Sequence, residues 1–334
     1  MVDQDHTFNN LFTQFGTGWT GGDGTCSVLL PDGRTLWMFG DTFLGALMPD
    51  RSREIGTPLI NNAFVIHDNH GMLTFHGGTE KHPESLIKPK EDNAFFWPVD
   101  GTISDGKLVV FCWKFFKRGH GPWDWQWWGT ELAIFSLSTL RMEALIPLNF
   151  MNGIRYGSAV METENYIYIY GVEDLKDKKY AHVARVKHDG ILGQWTFFSD
   201  NGWTSNPLAS KRILEGTANQ FSVFKYKGNH ILITMDNRYP FLKDVILYQS
   251  EFPWGPFIRS CPIYKVPERR EGMICYNAVV HPQFTSEGKI LISYNINFPD
   301  HFHYLFEDAD NYRPWFIRAD LESVLRSPPL TGKF

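Results

Sequence analysis

Nine side chains with acid, base or amide chemistry stand at equivalent points of a recurring pattern: Asp23, Asp41, Asp100, Glu173, Glu215, Gln220, Asp236, Asn277 and Asn295. Gathered into one cup, carboxylates of this kind suit glycoside hydrolysis, where one group must be protonated and another ionised on opposite sides of the scissile bond. Crowding itself supplies the difference, because like charges at short range raise one partner's pKa. Asp32 and Asp105 are set aside, since an Asp beside Gly between two apolar runs is a turn residue. Asp23 and Asp41 flank their turn instead of sitting in it. They are therefore the expected catalytic pair, one as acid and the other as nucleophile or base, in either order. Asp100 and Glu215 are further carboxylates of the same set. Trp19, Trp97, Tyr156, Gln220 and Asn277 are expected to bind sugar, and Asp236 and Asn295 to contact substrate or anchor loops.

The element that must position these groups is a hairpin: a small or polar residue, a strand, a tight turn and a strongly apolar strand. Copies open at Asp23, Asp100, near Gly157, at Gln220 and at Asn277, with turns at 31–34, 104–107, 162–165, 227–229 and 286–288. A second hairpin fits between consecutive copies, as in Ala63 to His67 followed by Met72 to Phe75. Four antiparallel strands in each of five units predict an all-β chain folded as a five-bladed β-propeller. One domain over 1–334 is expected, with blades near 17–77, 93–147, 155–198, 216–265 and 273–325 and the N-terminal segment free to close the ring. The long segments 44–60, 78–92, 117–129, 199–215 and 297–312 all share one parity, so they should crowd the face that carries the site.

Composition narrows the function. Of 334 residues, Lys and Arg number 32 and Asp and Glu 37, a net charge of −5 that gives no broad positive field for nucleic acid. No apolar run reaches the ~18–20 residues of a spanning helix, and no targeting signal is read at the N-terminus. Cys26, Cys112, Cys261 and Cys275 form no Cys-x-x-Cys pair and read as packed thiols, a Cys261–Cys275 bridge being the alternative. His301-x-His303 would put two imidazoles on one side of a strand without a third ligand, so no metal site is expected there. No cofactor is required, although Asp and Asn side chains around an axial channel suit a cation such as calcium as well as water. Trp123, Trp125, Trp127 and Trp128 offer flat faces to sugar rings, or pin their own loop to the body of the fold. Trp203, like Trp19 and Trp97, precedes an inner strand and is expected to line the pocket.

The stretch Gly18-Trp19-Thr20-Gly21-Gly22-Asp23-Gly24, followed by Leu30 to Gly45 with Gly40-Asp41-Thr42 inside it, resembles the signature of a bacterial family catalogued as domain of unknown function 5005. That family is similar to domain of unknown function 4185, whose members include endo-D-arabinanases of glycoside hydrolase family 183. The resemblance implies a secreted or periplasmic propeller glycosidase with Asp23 and Asp41 in its active site. A more distant likeness to the family 43 furanosidases implies Asp23 as base, Asp100 as orienting group and Glu215 as acid, in competition with Asp41. The expected function is thus a glycoside hydrolase or transglycosylase acting on a furanoside-containing glycan. The alternatives are a carbohydrate-binding propeller without turnover and a scaffold that docks a protein through the tryptophan loop.

Overall fold

The computed structural model describes residues 2–13, 17–121, 123–188, 190–239 and 242–327. The chain is nearly all β, and its strands fall into successive antiparallel meanders. The first sheet runs Cys26–Leu29, Thr35–Phe39, Ala63–Asp68, Gly71–Phe75, and the second Ala94–Ser104, Lys107–Lys117, Trp125–Ser136, Met142–Leu148. The third begins Ile154–Glu162, Tyr166–Asp174, Lys179–Lys187 and is widened by three short strands. The fourth is Phe221–Tyr226, Asn229–Met235, Asp244–Ser250, Arg259–Lys265. The fifth takes Ile274–Ser286, Lys289–Asn297 and Pro314–Asp320, and completes itself with Val2–Gln4 from the other end of the chain. All five turns read from the sequence join the first two strands of a sheet.

Period-two alternation explains how the sheets pack. In the second sheet Val109, Phe111, Trp113 and Phe115 face the third, while Leu108, Val110 and Cys112 face the first. Further clusters join the third sheet to the fourth and the fourth to the fifth. A last one joins the fifth to the first, through Trp37, Phe39, Leu291 and Phe316. The first strands of the five sheets also touch in the same cyclic order. Apolar on both faces, each sheet is stable only between two neighbours.

Two features depart from expectation. The strand before the first hairpin, Gly18–Gly22, pairs with Thr42–Gly45 in a separate small sheet rather than leading into the first, so Asp23 stands in the connection and not on the inner strand. Short helices occur at His6–Leu11, Tyr304–Glu307 and Leu321–Arg326. The first, capped by the Asp5 side chain on the Phe8 N–H, carries Phe8 and Phe12 into the cluster between the fifth and first sheets. Phe12 is 1% exposed and stacks on Phe316. Phe12→Ala is expected to destabilise the protein by about 3–5 kcal/mol, read from urea unfolding, because neighbours fixed in two sheets cannot collapse into the void. All four cysteines are free and buried, as the packed-thiol reading expects, and Cys261 and Cys275 form no bridge.

Candidate active site

A cavity of about 720 Å³ opens where the first strands of the sheets converge, and Asp23 and Asp41 both line it. Backbone bonds lock the two together: the Gly40 N–H donates to the Asp23 carbonyl at 2.8 Å, and the Asp23 N–H to the Asp41 carbonyl at 3.3 Å. Gly40 permits the approach, since a Cβ there would lie 2.8 Å from Asp23 Oδ1. Burial, and then the charge of Asp41, push the Asp23 carboxyl up to about 7. The Tyr276 hydroxyl donates to Asp23 Oδ2 at 2.8 Å and Tyr312 adds a second hydroxyl, both opposing that rise.

Asp41 has a different environment. Its Oδ1 accepts the Asn61 amide and the Trp97 indole N–H, each at 2.9 Å, leaving Oδ2 without a protein partner among the described residues. Burial raises this carboxyl too, while Trp97, Asn61 and the charge of Lys117 oppose the rise. Donors that only give protons, plus a nearby ammonium, favour the ionised form. The wall beside it is aromatic: Trp97 packs edge-on against Trp125 and tilted against Phe115, and Trp123 reaches the rim.

Gln220, Asp236 and Asn277 line the same cavity. Gln220 gives its amide to the Val99 carbonyl at 3.0 Å, tying the fourth sheet to the second, and Asp236 is held by the Arg238 guanidinium at 2.6 and 2.9 Å. Other expected site residues lie elsewhere. Asp100 sits at a bulge outside the cavity, its oxygens taken by the Gly101 and Val160 N–H groups at 2.8 and 2.6 Å, so it fastens the second sheet to the third; burial pushes it up to about 7. Glu215 is an exposed partner of Lys178, because its strand pairs on the outer side of the third sheet's third strand. Glu173, bound by Arg212, lines a separate recess with His182.

Trp19 is buried against Phe12 and Phe39 in the core rather than on sugar. Tyr156, 1% exposed, is wedged among Phe150, Trp195 and Phe197. Asn295 is buried and bonds Thr25 and the Gly22 carbonyl, and Trp203 packs on Phe198 and Trp254. His301 and His303 stand on short helical turns, not a strand, with His301 stacked on Tyr304. Among the described residues no three His, Cys, Asp or Glu side chains gather as a metal site.

Sequence reading missed Tyr276, Tyr312 and Asn61. Tyr276 immediately precedes Asn277, the position chosen, and its hydroxyl reaches Asp23 because a bulge from Tyr276 to Val279 turns the strand end inward. Of the five long segments, 44–60, 117–129 and 297–312 contribute to the cavity, while none of its lining comes from 78–92 or 199–215. No helix among the described residues is long and apolar enough to cross a membrane.

No curated protein matches the sequence. Among solved structures, a protein from Bacteroides ovatus provisionally described as a hydrolase superposes with a TM-score of 0.81 at 24% identity, over 98% of this chain and 93% of that one. A glycoside hydrolase family 43 enzyme from Xanthomonas citri gives 0.51 at 12% identity over 97% and 90%, and an α-L-arabinofuranosidase from Podospora anserina 0.50 at 9% over 91% and 92%. At these identities the likeness is one of fold. Residues 5–320 match the family described as domain of unknown function DUF5005, and the chain belongs to that family.

Proposed function

We propose that the five meanders are the blades of one five-bladed propeller and that its central cavity hydrolyses a glycosidic bond in a furanoside-containing glycan. The cyclic packing of the sheets and the similarity in fold to family 43 enzymes support the architecture. One observation carries the chemistry: two adjacent carboxyls in one aromatic-walled cavity have opposed surroundings, hydroxyls and a raised pKa at Asp23, N–H donors and a nearby cation at Asp41.

In this reading Asp23, held at about 7, is the general acid and gives its proton to the departing glycosidic oxygen. Asp41 stays ionised and either attacks the anomeric carbon or takes a proton from the water that does. The gap between the two reacting oxygens across bound sugar selects the route, about 5 Å for retention and ~6.5–9.5 Å for inversion. The wall of Trp97, Trp125 and Phe115 stacks on the apolar face of a sugar ring. Asp100 acts on the sheets rather than on substrate.

A panel of arabinans, xylans, galactans and fructans, incubated with wild type, Asp23→Asn and Asp41→Asn, tests this reading. Release of reducing ends by wild type alone supports it. Binding without release by all three would make the chain a carbohydrate-binding module. Tyr276→Phe removes a hydrogen bond that favours the Asp23 anion, so the falling alkaline limb of the rate profile should move up by about one pH unit, measured as kcat/KM against pH.

A further inference from the structure

We propose that the glycan taken by this cavity is acidic, with a uronate carboxylate or a sulfate ester seated on Arg155 and Lys179. This inference rests on the sugar-binding reading of the cavity and adds the class of substrate. Arg155 stands on the first strand of the third sheet and Lys179 opens its third strand; both line the cavity. Their side chains are only 15% and 16% exposed, and both are directed at one oxygen, Asp174 Oδ2, at 3.1 and 3.8 Å. The other Asp174 oxygen accepts the Lys176 N–H at 3.1 Å. Neither cation is paired with a second carboxylate among the described residues, so two largely sequestered positive charges share one negative charge.

Leaving a half-buried cation uncompensated is costly, and an incoming anion removes that cost. Burial lowers Lys179, and the charge of Arg155 lowers it further against the pull of Asp174. The guanidinium is preorganised, its Cζ lying 5.5 Å from the Trp127 ring centre and 5.9 Å from that of Trp113. Lys117 and Lys176 extend the positive rim, and neither forms an ion pair among the described residues. Two carboxylates share this rim: Asp124 turns back to accept the Gly121 N–H at 2.8 Å, and Asp177 is exposed at the hairpin tip. The remaining acids of the cavity are Asp23 and Asp41 and the Arg238-bound Asp236, so positive charge is gathered on the wall formed by the second and third sheets. A neutral glycan would leave the surplus of Arg155 and Lys179 over Asp174 unanswered, whereas carboxylate or sulfate oxygens form charge-assisted hydrogen bonds with both groups.

The test measures binding by affinity electrophoresis and calorimetry, using Asp41→Asn so that substrate persists. The probes are a glucuronoarabinoxylan, the same polymer with its carboxyls reduced to alcohols, and a sulfated galactan with its desulfated form. Affinity should fall about tenfold or more when either charge is removed, and the pair that responds identifies the anion. Lys179→Met and Arg155→Gln should each weaken the charged glycan about tenfold and erase its advantage over the neutral form, with melting curves confirming that both variants fold. Equal affinity for charged and neutral polymers would overturn the proposal. Loss of that discrimination in neither variant would overturn it as well. Selective binding of the acidic glycan by wild type with no bond cleaved would leave the acidic subsite standing and remove hydrolysis; cleavage of neutral glycans with no preference for charge would do the reverse.

Discussion

Asp41→Asn is expected to lower turnover by about 10³–10⁴-fold while leaving a folded protein. The amide still offers an oxygen to the Asn61 and Trp97 donors that hold the native carboxylate, so the local scaffold survives. What disappears is the negative charge needed to attack carbon or to activate water. It is also a charge that raises Asp23, so the Asp23 midpoint, followed by ¹³C carboxyl NMR, should drop below its native value near 7. Full activity in this variant would remove the assignment, and an unmoved midpoint would show that the two groups do not interact.

Asp23→Asn should be the more informative change, because it lowers turnover by about 10²–10⁴-fold and yet stabilises the fold at alkaline pH. The sign follows from linkage. The folded-state pKa near 7 lies above the ordinary 3.8, so the native protein binds a proton that the unfolded chain releases. Stability from this group is fully present below about 3.8 and is lost as pH rises through 7. Asp100, raised in the same direction by burial, adds to the decline. Removing the Asp23 charge should therefore raise stability at pH 8 by about 2 kcal/mol, a figure discounted because the carboxyl keeps contact with the cavity, and the gain should vanish towards pH 4. Urea unfolding at the two pH values measures both. A variant less stable than wild type at pH 8 would mean that Asp23 is satisfied as an anion and cannot serve as the acid.

The hairpin repeat was legible because tight turns and alternating apolar residues are local signals, and it led directly to Asp23 and Asp41. Position around the cavity was legible only to within one residue, and in a strand one residue is the difference between faces. Tyr156 was expected in the cavity, yet its neighbour Arg155 lines it while Tyr156 turns into the core. Asn277 and Tyr276 show the same ambiguity at a bulge, where both reach the cavity but Tyr276 holds Asp23. Trp19 failed for another reason: its strand pairs with Thr42–Gly45 instead of entering the first sheet, a nonlocal choice that no turn announces. Tyr312 was hidden because it follows a short 3-10 turn in a long segment with no periodicity.

The pairing of Val2–Gln4 with Pro314–Asp320 also has a consequence for biosynthesis. Translation at about 5–20 residues per second delivers the last partner on the order of 15–60 s after the first has emerged, so Val2–Gln4 must wait uncoupled. A strand of three residues, Val2-Asp3-Gln4, with a charge at its centre is a poor template for stray pairing, which makes that delay safe.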